Sequence, residues 1–290
     1  MEDYLVRGID ENGQFRVFAA VTTNLVEEAR QRHDTWPVAS AALGRVLTAG
    51  LLLGANLKGD DLITLRVFGN GPLGAITVSA NAGGEVRGYV QEPHIDLPST
   101  PAGKLPVGAA VGQGLLHVTK DLGLKEPFTG STELVSGEIG EDIAQYLVTS
   151  EQTPSAVSLG VLVGPDARVK AAGGLIVQLF PGADEEILTH LEKSLAEMPP
   201  ISSLVNLKLQ PEDLVARAVD GLNIHFLEKH PVRFACKCSR EKVGDILAAM
   251  GKKDIEKLLK EQGRAEVRCH FCGESYIFEA PDLQEIVLNS

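Results

Sequence analysis

Four sulfurs near one end of the chain are the residues with the most chemistry in them. Cys236-Lys237-Cys238 is followed, after 30 intervening residues, by Cys269-His270-Phe271-Cys272, and these are the only cysteines among 290 residues. A chain that gathers its cysteines into two close pairs is built to hold a metal, and Zn2+ prefers four thiolates in a tetrahedron. Gly273, directly after the second pair, lets the backbone fold closely past an ion. The first pair is unusual, because a zinc knuckle leaves two or more residues between its cysteines. Oxidised to each other, Cys236 and Cys238 would close a tight ring, and a strained disulfide is easily reduced. The pair therefore reads as a redox element as well as a metal ligand. His270 lies between two ligands, but four cysteines already complete the shell, so it is expected beside the metal rather than on it.

Other candidate chemistry is weaker. Gly69-Asn70-Gly71-Pro72-Leu73-Gly74 spells a dinucleotide fingerprint, which should open a helix. Pro72 sits inside it and Ala75-Ile76-Thr77-Val78 reads as a strand, so a glycine-rich hairpin is expected. Glu138, Glu141 and Asp142 crowd a helix start, where negative charge is stabilising without any catalytic role. Cys269-x-x-Cys272 could be a dithiol oxidoreductase motif, but that chemistry wants its first cysteine at a helix N-terminus. Here Gly273 to Phe278 reads as turn and strand. The remaining six histidines form no metal spacing, and there is no Walker loop, nucleophile elbow or His-Glu-x-x-His motif.

The elements that must position the sulfurs follow from pattern. Gln14 to Ala20 reads as a strand. Thr22 or Thr23 is expected to cap a helix to about His33, and Pro37 to begin a second from Val38 to Leu57. Small residues there (Ala39, Ala41, Ala42, Gly44) suggest close packing. Its most apolar stretch, Val46 to Leu57, is too short to span a bilayer and reads as core. Five strands follow, Leu62–Phe68, Ala75–Ala80, Glu85–Gln91, Leu115–Lys120 and Phe128–Val135, with a long proline-bearing loop from Glu92 to Gly114. A helix over Gly137–Ser150 and two buried strands, Ala156–Val163 and Val169–Phe180, complete a first domain closed by Pro181-Gly182. Strands in runs with few helices argue for α+β: an N-terminal mixed α/β core domain, residues 1–182. Residues 183–231 read as an acidic helical linker punctuated by prolines, with helices at Glu185–Met198 and Pro211–Ala218. Residues 232–290 form a small C-terminal zinc-binding redox domain. In it Ser239 caps a helix, a second helix carries Ile255, Leu258 and Leu259, a hairpin brackets Cys269 and Cys272, and Pro281 starts a closing helix.

Charge excludes some partners. Net charge is −12. Residues 232–290 carry ten basic and ten acidic side chains, so the cysteine module is neutral and the acidity lies upstream. Nucleic-acid binding wants a basic face. Lys252, Lys253, Lys257 and Lys260 cluster, but among Asp254, Glu256 and Glu261, which marks a solvated helix face. The start is acidic with no apolar core, unlike a signal peptide. A cytoplasmic protein without nucleic-acid or membrane partners is expected, with its cysteines reduced.

The paired cysteines and several upstream stretches together resemble the thirty-three-kilodalton heat-shock chaperone family, redox-regulated holdases. The upstream stretches are Pro37-Val38-Ala39-Ser40-Ala41-Ala42-Leu43-Gly44-Arg45, Gly71-Pro72-Leu73-Gly74, Arg87-Gly88-Tyr89-Val90, Leu134-Val135-Ser136-Gly137-Glu138-Ile139 and Ser150-Glu151-Gln152. The resemblance implies a chaperone rather than an enzyme, with one Zn2+ per chain on Cys236, Cys238, Cys269 and Cys272 in the reduced, inactive form. It implies that oxidation expels the metal and joins Cys236 with Cys238 and Cys269 with Cys272. The linker then unfolds, the chain forms a homodimer, and exposed apolar surface holds unfolded or oxidatively damaged client proteins without ATP. The physics agrees: a module of this size needs a staple, and structural zinc is worth roughly 10–16 kcal/mol to a small peptide. Arg233, Lys237, Arg240 and Arg268 are expected to help keep the sulfurs as thiolates. Two other classes stay open from the residues alone: a nucleic-acid-binding protein with structural zinc, and a thiol–disulfide oxidoreductase.

Overall fold

Alternation of apolar and polar residues over six to eleven positions builds most of the strands, and the chain folds as the expected α+β protein. The computed structural model describes residues 2–101 and 103–289. Met1 and Ser290, the ends of the two outer expected domains, and Ala102 of the proline loop lie outside the described residues. The chain divides into two compact units, Met1–Phe234 and Ala235–Ser290.

The first unit opens with β1 (Tyr4–Asp10), β2 (Phe15–Val21), α1 (Thr23–His33) and α2 (Pro37–Gly54). Strands β3 (Leu62–Gly69), β4 (Ala75–Asn81) and β5 (Glu85–Val90) follow, then a short α3 (Val107–Val111), β6 (Gly114–Asp121) and β7 (Phe128–Glu133). Next come α4 (Gly140–Thr149), β8 (Ser155–Val163), β9 (Val169–Leu179), α5 (Glu185–Glu197), α6 (Ile201–Asn206) and α7 (Pro211–Val219), and last β10 (Ile224–Pro231) and β11 (Arg233–Phe234). One sheet is antiparallel, in the order β10-β1-β2-β9-β8; the other runs β11-β5-β4-β3-β6-β7, parallel at β11–β5.

Helix α2 lies between the sheets, packing on β3, β4 and β5 on one side and on β8 and β9 on the other. It is long and apolar enough to cross a membrane, yet 89% of it is buried inside the unit. A helix apolar all round belongs in a core. The small residues do what the sequence suggests: a Cβ on Gly44 would come within 2.5 Å of Val26 Cγ1 and 2.9 Å of Val161 Cγ2.

The outer face of the five-stranded sheet is covered by α5, α6 and α7. Their Leu191, Ile201, Leu204, Leu214 and Val215 close over Val6, Phe15, Val17, Val21, Leu175 and Val177. At about 1.5–3 kcal/mol per large side chain buried, this face is a major part of the first unit's stability.

The expectation is corrected in four places. Segment 183–231 is not helical throughout: its last eight residues are β10, which pairs with β1 from Tyr4↔Pro231 to Asp10↔Ile224. Strand β1 itself was not expected, and neither was α3 inside the proline loop. An edge strand exposed along most of its length shows little periodicity, and its partner is more than 200 residues away. The capping of α1 also differs. Neither threonine caps through its hydroxyl: Thr22 Oγ1 pairs with Thr48 Oγ1 at 2.8 Å and Thr23 Oγ1 reaches Ala172 O. Asp3 takes the role from outside the helix, accepting from Leu25 N at 2.7 Å and Asn24 Nδ2 at 3.2 Å.

Candidate metal centre

In the second unit, α8 (Arg240–Ala249), α9 (Lys252–Gln262) and α10 (Ala280–Asn289) pack with the hairpin of β12 (Arg264–Arg268) and β13 (Ser275–Glu279). Ser239 accepts from Lys242 N at 3.2 Å and caps α8 as expected. The core is small: Val243, Leu247, Ile255, Ala265, Phe278 and Leu283 are its buried members. A core of six such residues is marginal for an independent unit.

The sulfurs sit at one end of it. Cys236 and Cys238 lie on the extended segment before α8, and Cys269 and Cys272 on the turn between β12 and β13. That turn is closed by backbone: Cys269 N–H donates to Glu274 O and Gly273 N–H to Cys269 O, both at 2.8 Å. Gly273 has φ of 73°, the left-handed conformation that glycine adopts without strain. The register from Arg264↔Glu279 to Arg268↔Ser275 holds the two ends of the turn together.

All four sulfurs lie within 4.8 Å of one another. Two contacts run across the pairs, Cys236–Cys269 at 3.8 Å and Cys238–Cys272 at 3.3 Å, and Cys272 also touches Cys269 and Cys236. A metal–sulfur bond of about 2.3 Å in a tetrahedron gives sulfur–sulfur edges of about 3.8 Å, so the arrangement fits a metal ion on four cysteines. Burial pushes the thiols of Cys269 and Cys272 up, away from the thiolate form. A cation among the sulfurs reverses that preference, because a coordinated thiol is deprotonated outright. Tyr276 donates its hydroxyl to Cys238 Sγ at 3.2 Å, and that bond raises the tyrosine's own pKa. Tyr276 is a site residue the sequence reading missed. Its place opposite Val267 on the hairpin was the available signal.

Other expected site residues are used differently. Arg240 binds Asp282 at 2.7 Å and Ile277 O and stacks on Phe278, Arg268 binds Gly273 O, and Arg233 pairs with Glu85. These contacts brace the fold around the turn and the helices. His270 is exposed and outside the sulfur cluster. Cys269 follows a strand and leads through its turn into another strand, so it lacks the helix N-terminus that lowers a redox thiol's pKa.

In the first unit, Gly69 to Gly74 joins antiparallel β3 and β4 as the expected hairpin. Asp142 is buried and accepts four backbone N–H groups, from Val135, Ser136, Gly137 and Ile139. Glu138 binds Arg45 and Gly108 N. Both carboxylates are structural clasps.

The chain matches known proteins along its length. The family model described as Hsp33 protein matches residues 3–279. A relative from Desulforamulus reducens named 33 kDa chaperonin is 63% identical over 287 residues, covering 99% of this chain and 98% of its own. Another of that name from Geobacillus kaustophilus is 48% identical over 287 residues, with the same coverage. The crystal structure of the 33 kDa chaperonin (heat shock protein 33 homologue) from Thermotoga maritima is similar at TM-score 0.94 and 36% identity, covering 100% of this chain and 99% of that one.

Proposed function

The chain belongs to the Hsp33 family and is a chaperone rather than an enzyme, and we propose that it is a redox-regulated, ATP-independent holdase that a thiol switch turns on. The observation that carries this reading is the gathering of every cysteine of the chain into one four-sulfur cluster.

In the reduced protein Cys236, Cys238, Cys269 and Cys272 hold one Zn2+ per chain. Four soft sulfurs in a tetrahedral set suit zinc, which has no redox chemistry of its own and leaves oxidation to the ligands. Bound there, zinc keeps the sulfurs as thiolates and supplies folding free energy that the small core lacks. Oxidation joins Cys236 to Cys238 and Cys269 to Cys272. Each pair of thiolates gives up two electrons; one hydrogen peroxide takes them with two protons and leaves as two waters. The ligand set is then gone, and the metal is released. The folded sulfur contacts run both across the pairs and between Cys269 and Cys272, but once the unit loosens only sequence neighbours stay close. Loop closure favours the nearest partner, which supports disulfides within the pairs.

Residues 1–182 act as the core, 183–231 as the linker and 232–290 as the switch. Cys236 is two residues from Phe234, where β11 ends, so unfolding at the sulfurs begins beside the C-terminal end of the linker. When α5, α6 and α7 lift away, the face made by Val6, Phe15, Val17, Leu175 and Val177 is uncovered together with their own apolar sides. An apolar surface of that kind holds unfolding proteins. The same surface supports homodimer formation on oxidation. The setting is cytoplasmic, where thiols stay reduced until stress.

One experiment joins both halves. Reduced, zinc-loaded protein is treated with peroxide at elevated temperature, and zinc release is followed beside suppression of aggregation of a heat-labile client. Release together with gained holding activity, both reversed by thiol and zinc, is expected. Release without holding activity would leave the cysteines a structural clamp.

A further inference from the structure

The layer between the two sheets is open where α2 ends, and the opening is a cleft of about 360 Å³. Leu53 from the end of α2, Leu57 just beyond it, Ile63 from β3, Leu122 beyond β6 and Leu147 from α4 supply apolar walls. The charges in the lining are three cations, Arg16, Lys58 and Lys120, against two carboxylates, Asp61 and Glu151. In a chain of net charge −12 a cationic opening is out of character.

Of the three cations Lys120 is paired with Glu151 and Lys58 is exposed, which leaves Arg16 as the half-buried one without an ion pair. Glu151 is already engaged: its Oε1 accepts from Lys120 Nζ at 2.5 Å and from the Tyr146 hydroxyl at 2.6 Å. Arg16 donates from Nε to Gln178 Oε1 at 2.9 Å, and its guanidinium lies 5.5 Å from the Phe18 ring and 5.7 Å from that of Phe180. Among the described residues its terminal amino groups have no acceptor, and no carboxylate forms an ion pair with it. Burial, and then the nearby charge of Arg7, work against its cation, and the charge of Glu151 favours it without forming an ion pair. A half-buried guanidinium beside two aromatic rings, with its terminal amino groups open to the cleft, is a bidentate receptor for a planar or tetrahedral oxyanion.

We propose that this cleft binds a small organic oxyanion, a carboxylate or phosphate monoester on a short apolar body, with Arg16 as the seat of the anion. The apolar walls take the body, and the volume lies within the usual range for small-molecule sites. A ligand there spans both sheets and closes the end of the layer. The proposal is independent of the thiol switch, since every lining residue belongs to the first unit.

The test is calorimetric titration of the full reduced chain with phenyl phosphate, hexanoate and inorganic phosphate, with sodium chloride holding ionic strength constant. Saturable binding of an organic anion, tighter than inorganic phosphate, is expected. Arg16→Gln should weaken it at least about tenfold, the loss of a charged bidentate contact, while Arg66→Gln, an exposed arginine of β3, leaves it unchanged. Preference for phenyl phosphate identifies the phosphate source, and preference for hexanoate the carboxylate. Absence of saturable binding, or equal loss in both variants, overturns the proposal. Should Arg16→Gln fail to fold, the wild-type protein decides the matter. The better ligand should protect Arg16 from phenylglyoxal, read by peptide mass spectrometry, and unprotected modification refutes the site.

Discussion

Single groups in this protein are held by burial and by a few charged contacts. Asp3 is an example. Its carboxylate caps α1 from a distance, and its backbone carbonyl accepts from Val232 N at 3.1 Å. Burial, outweighing the hydrogen bonds from Leu25 and Asn24, raises its pKa from 3.8 to about 6. The folded state therefore holds the proton more tightly than the unfolded chain. Asp3 contributes its full stabilisation below pH 3.8 and loses it as the pH rises through about 6. The change is at most about 3 kcal/mol. Asp3→Asn keeps an acceptor for Leu25 and removes the titration. Urea unfolding of the first unit between pH 4 and 7 should then show a shallower fall than wild type. Identical slopes would mean that the carboxylate is solvated. At the metal centre the same force acts on sulfur: burial disfavours thiolates there, and the ion that fits the four sulfurs is what makes them tolerable.

At the scale of elements, glycines decide how closely helices approach the five-stranded sheet. Gly160 of β8 and Gly173 of β9 stand opposite each other, beneath α6. A Cβ on Gly160 would lie 2.5 Å from Ser202 N, and one on Gly173 would lie 3.1 Å from Val205 Cγ2 and 2.7 Å from Ala20 O. Backbone cannot yield as a flexible side chain does, so α6 has to move. Gly160→Ala should cost about 1–3 kcal/mol and loosen the helical cover. Under the proposed mechanism the reduced, zinc-loaded variant binds a hydrophobic dye and shows some holding activity without peroxide. A variant destabilised to that extent but silent in both assays would separate the helical cover from client binding. Much of this element scale was legible in advance. Helix α2 announced itself by Pro37 at its start and small residues within, and the C-terminal hairpin by its alternation around the cysteines. Strand β10 did not, because it is an exposed edge strand held by its pairing with β1, more than 200 residues away.

For the whole molecule, stability is divided unequally. The first unit has two sheets on a buried helix and a covered outer face; the second has, among the described residues, a core of six buried side chains and a four-sulfur cluster. Removing the metal should therefore act locally. A strong chelator, with thiols kept reduced, should abolish amide protection in α8, α9 and the β12–β13 hairpin while β2, β3, β4 and β9 remain protected. Hydrogen exchange read by mass spectrometry distinguishes this from global unfolding. Equal loss in both units would show the metal to be a keystone for the entire chain. Hydrogen exchange after peroxide and mild heat extends the measurement to 183–231, where increased exchange is expected and unchanged protection would break the coupling between switch and linker.

The amino-acid sequence by itself determined the chemistry of the centre. Ligand type, ligand number and spacing are local properties, and two cysteine pairs in one small module leave little choice of metal chemistry. It also determined most helices and strands, since periodicity, caps and prolines act within a few residues. Only the tertiary structure decided which surfaces are paired. That α5, α6 and α7 lie on the outer face of β1, β2 and β9, that β10 closes the edge beside β1, and that Arg16 of β2 meets Gln178 of β9 in the cleft lined by Leu53 of α2 all depend on contacts between residues far apart in the chain. Such contacts are selected by shape and by the burial of whole faces, and no local pattern encodes them.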